Sequence, residues 1–96
     1  MNRDLHPTEG ARYLLERSSD DGARATYRAV IYTPTTEHAT TATLGDDGSV
    51  SVAACDAPTE LVDRLANMAK VVARDASKLR GDGMPPWPAR VLRWRK

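Results

Sequence analysis

The residues best equipped for chemistry in this chain crowd its last ten positions, Trp87–Lys96. Both tryptophans of the chain, Trp87 and Trp94, stand there beside Arg90, Arg93, Arg95 and Lys96, with no acid among them. Guanidinium groups make paired hydrogen bonds to carboxylates and phosphates. Indole rings anchor protein contacts or stack on nucleobases. These six residues are therefore the candidate contact site, for an acidic protein surface or for the phosphates of a nucleic acid. Charge is polarised along the chain in the same sense. Residues 1–56 carry five arginines against nine carboxylates, a net of −4, and residues 57–96 carry nine Lys and Arg against four carboxylates, a net of +5. A chain of net charge +1 with so uneven a distribution offers one end as a contact surface. The same residues also suit a structural role, with Leu92 and Trp94 closing a small core and the arginines forming its solvated side.

Other groups with chemical potential are dispersed or sit where turns need them. His6 and His38 lack the spacing of paired metal ligands or of a helical zinc motif. Cys55 adjoins Asp56, a neighbour that disfavours a thiolate, so a half-buried small side chain is expected rather than a nucleophile. Asp20-Asp21 and Asp46-Asp47 fall in hairpin turns, where aspartate bonds to its own backbone, and neither pair has the ligand series of a calcium loop. Gly81-Asp82-Gly83 follows a helix instead of opening one, the wrong side for cradling phosphate. No catalytic set, cofactor motif, metal site or small-molecule substrate is indicated, and the chain reads as non-catalytic.

Composition limits the scaffold that positions these residues. The chain has 96 residues, enough for one domain with a modest core. Leu, Ile and Val number 16 and Phe is absent, so the core must draw on Ala and a few aromatics. A core this thin favours burial of further apolar surface against a partner or a second copy. One cysteine allows no internal disulfide. Met1–Pro7 holds no apolar run and no segment approaches a membrane span, so a cytoplasmic protein without membrane contact is expected.

Two Asp-Gly turns, Ser18–Gly22 and Gly45–Gly48, organise the first half. Between them Ala23–Thr33 alternates with period two, Pro34 interrupts, and His38–Leu44 resumes as a second strand. Ser49–Ala53 alternates again. These segments form an antiparallel meander. Glu9–Arg17 fits either a fourth strand, with Tyr13 and Leu15 inward, or a short helix. Residues 1–8 are expected to be a flexible tail. The helix spans about 58–80, with Asp56 as N-cap and Leu61, Leu65, Met68, Ala69, Val72, Ala76 and Leu79 on one apolar stripe. Lys70, Arg74 and Lys78 fall on its solvated side. Gly81-Asp82-Gly83 ends it, and residues 81–88, with Pro85, Pro86 and Pro88, form an extended connector. Arg90–Arg95 is a last strand at a sheet edge, with Leu92 and Trp94 on one side and Val91, Arg93 and Arg95 on the other.

The expected fold is α+β, a three- or four-stranded antiparallel meander packed by one long helix, with a C-terminal edge strand. Its core is Tyr27, Ala29, Ile31, Leu44, Val50, Val52, Leu61, Leu65, Met68, Val72, Ala76, Leu79, Leu92 and Trp94. Were Glu9–Arg17 helical, the element order would resemble a double-stranded-RNA-binding domain. The stretch matching that family's phosphate-binding lysines, Thr59–Arg64, is net acidic here, so the resemblance carries no RNA binding with it. The function expected is a binding module acting by protein–protein contact, on an acidic surface or as a homodimer. The alternative is nucleic-acid binding through the Arg/Trp segment.

Overall fold

A computed structural model describes residues 7–95. The chain runs β1 (Ala11–Asp20), β2 (Arg24–Tyr32), β3 (Glu37–Gly45), β4 (Val50–Val52), α1 (Thr59–Gly81) and β5 (Arg90–Arg95). The strands form one antiparallel sheet in the order β4-β3-β2-β1-β5, and α1 lies over β3 and β4 on one face. The α+β class, the meander, the packing helix and the C-terminal edge strand are as the sequence predicts. Among the described residues no helix is long and apolar enough to cross a membrane. Of the tail expected over residues 1–8, residues 1–6 lie outside the described span and Pro7 is buried.

The open question at Glu9–Arg17 resolves as strand. Tyr13 and Leu15 enter the core under the helix, while Leu14 is buried on the opposite face, opposite Val30 on β2 and Leu92 on β5. A strand central to a sheet accommodates successive apolar residues because each face buries one of them. With β1 a strand, the order that resembled an RNA-binding domain does not exist.

The hairpins close as their residue types dictate. At the β1–β2 turn Gly22 takes φ +91°, and the Asp20 and Asp21 carboxylates accept the backbone N–H groups of Gly22, Ala23 and Arg24. At the β3–β4 turn Asp47 accepts the Ser49 N–H at 2.9 Å. The bonds from Ser49 hold the Asp47 carboxyl below its ordinary range.

Helix α1 departs from expectation at its start. Pro58 is the capping residue and no side chain caps it. Asp56 is not the cap, because its carboxylate is engaged by His38. The helix end matches its sequence signal. Gly83, at φ +76°, donates to the Arg80 carbonyl at 3.0 Å, and Met84 donates to that of Leu79 at 2.9 Å, the paired bonds of a Schellman stop. The buried face is Leu65, Ala69, Ala73 and Ala76. Three alanines let the helix sit close to the sheet. Leu61, Met68 and Val72 flank that line half-buried and pack against the core.

The core differs from expectation at the chain's end. Leu92 and Trp94 were expected inside, but the register of β5 sets Val91 opposite Leu15 and Leu92 opposite Leu14. Because side chains alternate between faces, Val91 enters the helix-side core, and Leu92 and Trp94 lie on the open face. The large aromatic that completes the core is Trp87, 2% exposed.

Candidate functional site

The path of the connector decides which C-terminal residues are available. From the helix end the chain crosses back over one end of the sheet to reach the far edge. Four long-range bonds pin it there. The Trp87 indole N–H donates to the Gly22 carbonyl at 3.0 Å, and the Arg17 guanidinium donates to the Trp87 carbonyl at 2.7 Å. The Tyr27 hydroxyl donates to the Pro88 carbonyl at 2.7 Å, and the Arg17 N–H to the Ala89 carbonyl at 2.9 Å. Burial pushes the Tyr27 phenol up to about 12, against the lowering effect of Arg17. The ion pair between Arg80 and Asp46 ties the helix end to the β3–β4 turn. Trp87, grouped with the contact residues on sequence grounds, is thus sealed in the core and offers no surface to a partner.

The remaining candidates lie on β5, which pairs only with β1 and forms one edge of the sheet. Alternation divides them. Arg90, Leu92 and Trp94 share the open face with Glu16, Leu14 and Arg12 opposite them on β1. Arg93 and Arg95 share the helix-side face with Val91. Trp94 is 46% exposed, and its indole N–H donates to the Glu9 carbonyl at 3.0 Å. Among the described residues no carboxylate pairs with Arg90, Arg93 or Arg95. Glu16, opposite Arg90, is paired with Arg28 at 3.3 Å. Lys96 lies outside the described residues.

Because α1 lies over β3 and β4, it leaves room beside the edge strand on the helix-side face. A groove of about 550 Å³ opens there between the helix and the edge strand. Tyr13, Val72 and Val91 line it, and Arg93 and Arg95 stand along its strand side. A smaller cleft of about 280 Å³ continues towards Leu79 and Pro88. Val71, 45% exposed, borders both. Tyr13 is buried, yet its hydroxyl has no hydrogen-bond partner among the described residues.

No family model, no curated protein and no solved structure matches the chain. The site's chemistry therefore rests on its own geometry.

Sequence reasoning missed two arrangements. One is the groove. Its only local sign is Val71, a large apolar residue outside the helix's buried stripe. The other is at the opposite edge of the sheet, where His38 Nδ1 lies 2.8 Å from Asp56 Oδ1 and His38 Nε2 lies 3.1 Å from Thr36 Oγ1. Asp56 carries its carboxyl below the ordinary range, chiefly through the hydrogen bond from His38. The Thr36 hydroxyl is already bonded to Thr33 Oγ1, and neither cleft borders it. The chain thus fastens the β2–β3 turn to the segment leading into α1. Among the described residues no group of three or more His, Cys, Asp or Glu is placed to hold a metal ion.

Proposed function

We propose that the protein is a non-catalytic binding module that works by protein–protein contact along β5. Its partner is an extended segment alternating acidic and apolar residues. The observation that carries this is the edge itself: six residues of strand at the sheet margin, with an exposed Trp94 and arginines that no described carboxylate neutralises. An extended peptide adds to such an edge through main-chain hydrogen bonds, and alternate side chains supply specificity. The parity of β5 states what they should be. Acids belong on the helix side, beside Arg93 and Arg95. Apolar groups belong on the open side, beside Leu92 and Trp94.

Charge argues against a second copy at this edge, since pairing β5 with itself sets arginines against arginines. The same parity argues against nucleic acid. Trp94 shares its face with Arg90 and Arg12, while Arg93 and Arg95 lie on the other face, so a strand stacked on Trp94 meets only part of the basic cluster. A cytoplasmic setting belongs to the same proposal, supported by the free, half-buried Cys55.

The test uses a fluorescent peptide of alternating Glu and Val, a control of the same composition in two blocks, and labelled DNA and RNA oligomers. We expect the alternating peptide to bind in preference to the block control, and Trp94→Ala to weaken it about tenfold, within the range of interface hot spots. Mass in solution should be that of a monomer. Oligomer binding that falls steeply with salt, and falls less steeply in the Arg93→Ala/Arg95→Ala double variant, would overturn the proposal in favour of nucleic acid. A stable dimer dissociated by Trp94→Ala would make the partner a second copy.

A further inference from the structure

We infer that the groove between α1 and β5 is a binding site for a small apolar carboxylate, a molecule with a hydrocarbon or aryl body and one oxyanion at its end. Three independent features converge on that class. The first is size and lining. A groove of about 550 Å³ falls within the roughly 300–1,000 Å³ range of small-molecule sites, and Met68, Val71, Val72 and Val91 give it apolar surface, interrupted on the helix side by Arg64 and Asn67.

The second is the Tyr13 hydroxyl. It is the one buried side-chain polar atom among the described residues without a hydrogen-bond partner. A buried hydroxyl left unpaired carries a desolvation penalty that a bound oxygen removes. Tyr13 lines this groove, so a ligand whose oxygen reaches past the lining to that hydroxyl supplies the acceptor.

The third is charge. Tyr13 stands directly opposite Arg93 across the β1–β5 ladder, and Ala11 stands opposite Arg95, all on the helix-side face. One phenolic donor and two guanidinium groups therefore adjoin the same groove, with Arg64 also in its lining. Such donors suit an oxyanion, and the apolar side chains among them suit an amphipathic one. Neither arginine has a carboxylate partner among the described residues. A fully polar anion would leave the valine wall unused, and a neutral lipid would leave the arginines unused.

The groove and the strand-edge contact share Arg93 and Arg95 and differ in the rest of their lining. The peptide site proposed above depends also on Trp94, on the open face of β5. The carboxylate site depends also on Tyr13 and the helix wall.

The experiment is an amide NMR titration of the full chain with octanoate, 1-octanol and acetate. Octanoate should shift the amides of Val71, Val72, Val91 and Arg93, bind at least tenfold more tightly than octanol, and outcompete acetate entirely. Tyr13→Phe should fold with an undiminished unfolding midpoint, because it deletes an unpaired hydroxyl, yet bind octanoate about tenfold more weakly. Trp94→Ala should leave octanoate affinity unchanged while weakening the alternating peptide, which distinguishes failure of one site from failure of the other. Equal affinity for octanoate and octanol would overturn the inference. So would shifts confined to other regions, or a Tyr13→Phe variant that binds octanoate as the parent does.

Discussion

Trp87 and Trp94 lie in adjacent segments of the same basic C-terminus, and the fold treats them in opposite ways. Trp87 is 2% exposed and Trp94 is 46% exposed. Each indole N–H donates to a backbone carbonyl, Trp87 to Gly22 and Trp94 to Glu9. What separates them is the ground on which they land. The connector carries Trp87 over the end of the sheet, where its indole meets the β1–β2 turn and joins the core. The edge strand carries Trp94 onto the face that no helix covers. In a chain with few large apolar residues, one tryptophan completes the core and the other stays partly exposed on the open face.

That contrast is sharpest in stability. Trp87→Ala opens a cavity in the core and should destabilise the protein by about 3–5 kcal/mol. Trp94→Ala loses a partly exposed ring and one hydrogen bond, and should cost about 1 kcal/mol or less. Chemical denaturation of the two variants measures the difference directly, and equal midpoints would break the comparison.

A smaller effect reports on how the connector is held. Tyr27→Phe removes the bond to the Pro88 carbonyl and should cost about 0.5–1.5 kcal/mol. The same phenol gives a pH signature. Its folded-state value, about 12, lies above the ordinary 10.0. The folded protein therefore retains a proton that the unfolded chain releases. The stability this contributes is complete below the ordinary value and declines as pH rises through the folded one. Tyr27→Phe should flatten that alkaline decline, as followed by ultraviolet tyrosinate absorbance and unfolding midpoint together.

The smallest effect lies at the far edge, away from both tryptophans. Asp56 titrates below its ordinary value because His38 donates to it. A depressed carboxyl contributes stability above its unfolded value that is lost as pH falls through the folded one. Asp56→Asn should remove that part of the acid-side decline and leave binding along β5 unchanged. An unchanged acid limb would show that the link from the β2–β3 turn to the helix approach is not formed in solution.

Much of the scaffold was legible because its signals are local. Period-two alternation marks β2, the Asp-Gly pairs mark two hairpins, and Gly81-Asp82-Gly83 marks the helix stop. The helix stripe was read correctly at Leu65, Ala69 and Ala76 but missed Ala73, since alanine carries little hydropathic weight and its burial follows from how closely the helix approaches. The adjacent leucines of β1 left strand and helix open, because a strand buried on both faces loses the alternation that would name it. On β5 the sequence separated Leu92 and Trp94 from Val91, Arg93 and Arg95, but it assigned the wrong set to the core.

The amino-acid sequence by itself determined the elements from β2 onward, the order in which they occur and the concentration of arginine and tryptophan at one end. These depend on residue types within a few positions of one another. Only the tertiary structure decided which side of β5 faces the helix, which tryptophan is buried, and that Tyr13, Arg93 and the valines of α1 share one groove. Those outcomes follow from the pairing of β5 with β1 at the far end of the chain. A shift of that register by one residue would exchange the two faces of the strand, and no local feature of Arg90–Arg95 distinguishes the two.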